Sequence, residues 1–92
     1  MAVLSDDEIN RRLSDLPGWE RDGDAIKRQF KFEDFQASVD FVNRIAPAAE
    51  EMNHHPDLAI SWNTVDCTLS THSEGGLTEN DFELASQISS VA

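Results

Sequence analysis

The sequence predicts an α+β fold of order α-β-β-α-β-β-α, a four-stranded antiparallel sheet with helices packed on one face. Three observations carry that prediction. Stretches beginning near Ser5, Asp34 and Thr78 place apolar residues at intervals of three and four, the period of a core-facing helix. Between them, two pairs of short runs flank Asp22-Gly23-Asp24 and Trp62-Asn63, the pattern of β-hairpins. A chain of 92 residues with 39% hydrophobic and 27% charged content suits one globular domain, residues 1–92, with a modest core. Two hairpins separated by a helix favour a sheet covered on one side only.

Ser5-Asp6-Asp7-Glu8 has the form of a capping box, and its acidic first turn complements the helix dipole. Ile9, Leu13 and Leu16 then form one stripe, and Pro17-Gly18 ends a helix over residues 5–15. Trp19-Glu20-Arg21 and Ala25–Phe32 form the first hairpin, with Ile26, Arg28, Phe30 and Phe32 on one face. Arg28 breaks that apolar face, and its head is expected to snorkel to solvent at a sheet edge. From Asp34, residues Phe35, Val39, Val42, Ile45 or Ala46, Ala49 and Met52 trace a second helix ending near Asn53 or His54, because Pro56 disfavours helical geometry at His55. Pro47 predicts either a kink near Asn43 or two helices broken at Ala46. Leu58, Ile60 and Trp62 alternate, as do Val65, Cys67, Leu69 and Thr71, with Asp66, Thr68, Ser70 and His72 on the opposite strand face. After Gly75-Gly76, Thr78–Asp81 reads as a second capping box opening a helix that buries Phe82, Leu84, Ala85, Ile88 and Val91.

The formal charge of −11, from 18 acidic and 7 basic side chains, opposes direct contact with a phosphate backbone. No apolar run approaches the roughly 20 residues of a membrane span, and the acidic stretch Met1–Glu8 has no signal-peptide character. Cys67 is the only cysteine, so neither an internal disulfide nor a cysteine-based zinc site is expected. A cytoplasmic protein without membrane or nucleic-acid partners is the simplest expectation.

The chemistry concentrates in Glu50-Glu51-Met52-Asn53-His54-His55-Pro56-Asp57, and all three histidines lie within 19 residues. Imidazole is the side chain best suited to proton transfer near neutral pH. Glu50 and His54 are four apart on one helix, so they share a face and the carboxylate orients that ring. His72 could complete a site from a strand, and Asp81, at a helix start, could orient a histidine. Glu50, His54, His55 and His72 are also formal zinc donors, but adjacent residues project apart, which counts against a shared ion. Each residue also has a plain structural reading: the His54-His55 pair as a helix terminus, His72 as an exposed strand residue, Trp19 as a core plug, Glu50 as solvated surface, Asp81 as a cap.

Glu50-x-x-x-His54-His55-Pro56, the aromatic Trp62, His72 and Asp81 together resemble the motif of the pterin-4a-carbinolamine dehydratase family. Pro17-Gly18-Trp19, Asp34-Phe35, Leu69-Ser70-Thr71-His72 and Gly75-Gly76-Leu77-Thr78 extend the resemblance over nearly the whole chain. It implies dehydration of 4a-hydroxytetrahydrobiopterin to quinonoid dihydropterin and water, by acid–base catalysis without metal or redox cofactor, recycling the pterin of an aromatic amino-acid hydroxylase. It implies catalytic roles for His54, His55 and His72, with His55 leading, supporting roles for Glu50 and Asp81, and pterin contacts from Trp19, Pro56, Ser70 and Thr71. A homodimer or homotetramer is implied as well. The shorter first turn, Pro47, and Asp57-Leu58-Ala59 after Pro56 depart from vertebrate members and bear on self-association more than on catalysis. Two alternatives accompany this resemblance: a protein-interaction module that assists a transcription factor's dimerisation, and a role in molybdopterin metabolism.

Overall fold

The computed structural model describes residues 2–92; Met1, the first residue of the acidic N-terminal stretch, lies outside them. Helix α1 spans Asp6–Leu13, and the Ser5 hydroxyl accepts the Glu8 N–H at 3.2 Å, satisfying a donor that has no partner within the helix. Strands β1 (Glu20–Asp22) and β2 (Ala25–Lys31) form the first hairpin, with Asp22 opposite Ala25 across the turn. Helix α2 (Phe35–Met52) starts where the Asp34 carboxylate caps the Ala37 N–H at 2.8 Å. It runs unbroken through Pro47, so the two-helix alternative is not adopted. Strands β3 (Asp57–Ser61) and β4 (Thr64–Leu69) turn at Trp62-Asn63. A 3₁₀ turn over His72–Glu74 and helix α3 (Glu79–Val91) complete the chain, in the order the sequence predicts.

The sheet order is β1-β2-β4-β3, antiparallel throughout, with β2 and β4 in register from Ile26 opposite Leu69 to Lys31 opposite Thr64. One face carries Ile26, Phe30, Val65, Cys67 and Leu69, all buried against Ile9 of α1, Phe41 and Ile45 of α2, and Leu84 and Ile88 of α3. Phe41 sits between Phe30 and Phe32, with ring centroids 4.8 and 4.9 Å away. On the other face the exposed Lys27, Gln29 and Asp66 alternate with the core positions, and Gln29 donates to the Asp66 carboxylate at 2.9 Å. The uncovered face is therefore polar.

Two expectations need correction. Arg28 lies on an inner strand, not at a sheet edge, and its guanidinium rests 4.4 Å from the Phe30 ring centroid, a cation–π contact. Gly18, at φ +88°, admits it, because a Cβ there would stand 2.7 Å from Arg28 Nε. His72 is not a strand residue. β4 ends at Leu69, Thr71 makes a lone bridge to Gly76, and the Thr71 carbonyl accepts N–H groups from Glu74 and Gly75 at 3.0 and 3.1 Å. The backbone groups that would have continued the ladder are satisfied inside this turn instead.

Candidate active site

The site begins where α2 stops. Asn53 takes the left-handed conformation, φ 48° and ψ 42°, one of the few non-glycine residues that tolerate it. Its N–H bonds to the Glu50 carbonyl at 3.2 Å, and the His54 N–H bonds to the Ala49 carbonyl at 3.1 Å. These bonds satisfy the end of the helix and turn the chain, so the two adjacent histidines part company.

His54 points inward. Its side chain is 11% exposed, and Nε2 lies 2.6 Å from Oδ1 of Asp81, which is fully buried. Asp81 is held in turn by the start of α3: its Oδ2 accepts the Thr78 N–H at 2.9 Å and the Thr71 hydroxyl at 2.8 Å. The capping box expected at Thr78–Asp81 is present, and its carboxylate serves the histidine as well as the helix.

His55 points outward. It is 55% exposed, and Nε2 sits 2.8 Å from Oε2 of Glu50, itself exposed. The pairing predicted from i,i+4 spacing is thus replaced, since Glu50 partners His55 and Asp81 partners His54. Helical spacing holds only while the helix lasts, and the left-handed Asn53 ends it. His55, Glu50 and Pro56 line a groove of about 210 Å³ together with Val42, Ala46 and Leu58. A larger groove of about 400 Å³, lined by Gly18, Lys27, Asp66 and Thr68 among others, includes none of the histidines.

His72 is 81% exposed, with Nε2 4.0 Å from Oδ2 of the equally exposed Asp57. The sequence places Asp57 in the chemistry-rich stretch without giving it a partner, and the pairing of Asp57 with Thr68 brings it beside the end of β4. Ser70 donates to the Asp24 carbonyl at 2.7 Å and ties β4 to the first hairpin turn. Thr71 is buried, its hydroxyl engaged by both Asp81 and Thr78. Trp19 is 5% exposed, edge-on to Phe30, with its indole N–H donated to Ser89 at 2.8 Å. Cys67, beneath the sheet, has its thiol pushed up to about 12 by burial, with Asp66 adding to the effect, so it is no nucleophile near neutral pH.

The arrangement offers three imidazoles in three settings: one clamped by a buried carboxylate, one at the mouth of an apolar groove, one in solvent. Among the described residues no three His, Cys, Asp or Glu side chains converge as a metal site, and no helix is long and apolar enough to cross a membrane. Proton transfer by positioned imidazole is the chemistry this geometry can support.

Residues 2–91 match the model of the family described as pterin 4 alpha carbinolamine dehydratase. A protein of Sulfolobus acidocaldarius, provisionally named pterin-4-alpha-carbinolamine dehydratase, is 51% identical over 88 residues, 96% of this chain and 97% of that one. The crystal structure of a transcriptional coactivator/pterin dehydratase from Brucella melitensis superposes with a TM-score of 0.94 at 40% identity, covering 98% of both chains. A pterin dehydratase-like protein identified as a RuBisCO assembly factor in the alpha-carboxysome shares the fold, with a TM-score of 0.67 at 20% identity over 80% of this chain and 86% of that one.

Proposed function

The chain belongs to the pterin-4a-carbinolamine dehydratase family, and on that premise we propose that it eliminates water from a 4a-hydroxytetrahydropterin to give the quinonoid dihydropterin. The observation that carries this reading is the clamping of His54 by the buried Asp81, 2.6 Å away, beside a second histidine at a groove mouth. A fully buried carboxylate on an imidazole is costly unless every partner is placed, and stability alone has cheaper solutions.

The step is redox-neutral: the C4a–O bond breaks, the hydroxyl leaves as water after gaining a proton, and N5 gives up its proton as the C4a–N5 double bond forms. His55, exposed enough to meet a ligand, takes the leading acid/base role at the 4a-hydroxyl and N5. His54 and His72 position the pterin and share the proton work, while Asp81 and Glu50 orient His54 and His55. Val42, Ala46, Pro56 and Leu58 supply an apolar wall beside His55. The physiological setting is recycling of the pterin used by an aromatic amino-acid hydroxylase.

The test is the absorbance decay of freshly generated 4a-hydroxytetrahydropterin with and without the protein, His55→Ala beside wild type. Acceleration by wild type should fall by about 10²–10⁴-fold in the variant, the usual contribution of positioned proton transfer. No acceleration at any protein concentration sinks the proposal.

A second reading, an interaction module, is favoured by the dual description of the Brucella melitensis protein. In this chain such a role would use exposed apolar side chains such as Phe35, Ile60 and Trp62. It predicts that His55→Ala leaves the biological role intact.

A further inference from the structure

Thr71 lies outside the groove beside His55, and its hydroxyl is directed into the protein. We infer that Thr71, backed by Thr78, is a positioning residue that fixes the proton arrangement of His54 through Asp81, rather than a contact to the pterin. Its catalytic consequence rests on the dehydratase reading; the proton arrangement itself does not.

The proton count leads there. A carboxylate accepts and does not donate, whereas a threonine hydroxyl owns one proton. Thr71 Oγ1 lies 2.8 Å from Asp81 Oδ2, so its proton goes to the carboxylate. Thr71 Oγ1 also lies 2.8 Å from Thr78 Oγ1, and with its own proton spent it can only accept there. The Thr78 hydroxyl is therefore the donor of that pair. Oδ2 then holds two donors, the Thr71 hydroxyl and the Thr78 N–H at 2.9 Å, which leaves Oδ1 for the ring nitrogen of His54 at 2.6 Å. The proton on that last bond belongs to Nε2. When His54 is neutral, Nδ1 is thus the nitrogen left to accept a proton; the donors from Thr78 through Thr71 on one side and from His54 on the other converge on the Asp81 carboxylate.

The cluster is closed to solvent at its base. Thr78 and Asp81 are fully buried, Thr71 nearly so, and among the described residues no buried side-chain nitrogen or oxygen lacks a partner. Removing the Thr71 hydroxyl withdraws one of two donors from Oδ2 and strands the Thr78 hydroxyl where water does not replace it. The carboxylate is then held at Oδ2 by the Thr78 N–H alone, and the His54 ring is less firmly oriented through it. Backbone bonds of the Thr71–Gly76 turn do not involve the hydroxyl, so an isosteric change leaves the turn in place.

The experiment is nitrogen-15 NMR of imidazole-labelled protein, together with kcat and KM, for wild type, Thr71→Val, Thr71→Ser and Thr78→Val. Wild type should show a downfield, slowly exchanging Nε2 proton on His54. Thr71→Val should broaden or lose that signal, and Thr71→Ser should restore it. Thr78→Val, which keeps the backbone donor to Asp81, should weaken it in the same direction and serves if Thr71→Val does not fold. Alongside, kcat should fall on the order of tenfold with KM little changed, the rate equivalent of one neutral hydrogen bond. An unaltered His54 signal in both valine variants overturns the inference. So does a raised KM with that signal intact, which would make Thr71 a pterin contact. Absence of dehydratase activity in wild type would remove the enzyme reading and leave the NMR comparison decisive for the network.

Discussion

Asp81→Asn isolates the charge at the centre of the site with almost no change of shape. Asp81 is fully buried, and its carboxylate takes hydrogen bonds from Thr71, from Thr78 and from His54. In the asparagine variant the amide oxygen can keep the two donors at Oδ2, so the start of α3 stays capped. The amide nitrogen then occupies the place of Oδ1 and presents a donor to His54 Nε2, itself a donor. The ring must move its proton to Nδ1 or turn away. A hydrogen bond to a charged group contributes about 1.5–3 kcal/mol and a neutral one about 0.5–1.5, so the loss should be roughly 1–2 kcal/mol. For a domain of this size that lowers Tm by roughly 4–16 °C. Asp81→Ala should cost more, about 3–5 kcal/mol, the scale of removing one partner from a buried pair, because three donors lose their acceptor. Thermal and urea unfolding, with the urea m-value unchanged, are the assays. If Asp81→Asn melts within about 2 °C of wild type, half the smallest expected shift, the carboxylate is not organising the site and the account of His54 fails with it.

Cys67 should resist alkylation by iodoacetamide in the native protein at neutral pH and react fully once unfolded, since its thiol is buried and pushed up to about 12. The fold prefers the protonated thiol, so the stability linked to it is intact below the ordinary value of 9.0 and is lost as pH rises from there toward about 12; rapid native labelling would refute this. Trp62 is 68% exposed yet held at φ 49°, a conformation that costs a bulky residue about 1–2 kcal/mol. Trp62→Asn should therefore raise stability by about 1 kcal/mol in urea unfolding, and a loss of similar size would show that the indole's contacts outweigh the strain.

The sequence determined the layers of this protein, and the reason is local. Periodicity of three and four, or of two, depends only on which residues must face a core. Ile9 and the alternation of Val65, Cys67 and Leu69 are set before any tertiary contact forms, whereas on α2 the stripe read from Phe35, Val39 and Val42 is displaced: Phe41, Ile45 and Ala49 form the buried line and Phe35 is exposed. Caps are local as well, and Ser5, Asp34 and Thr78 each mark a helix start in both sequence and structure. The turn residues Gly23 and Trp62-Asn63 were legible for the same reason.

The site was legible only as an inventory. His54, His55, His72, Glu50 and Asp81 could be named from the chain, but which carboxylate serves which histidine depends on where α2 ends and how Asn53 turns. That turn gives Glu50 to His55 and sends His54 across to α3, 27 residues away in sequence. His72 left the strand because the Thr71–Gly76 turn satisfied its own backbone groups, a competition that period-two alternation does not register. Arg28 became a half-buried cation–π partner of Phe30 on an inner strand because β2 pairs with β4 as well as β1, a long-range pairing invisible to a local pattern. The hydroxyl of Thr71 gained its partners from α3 by the same route. Residue types and spacing settle what a segment must bury, whereas proton positions and carboxylate partners depend on contacts between segments that only the folded chain brings together.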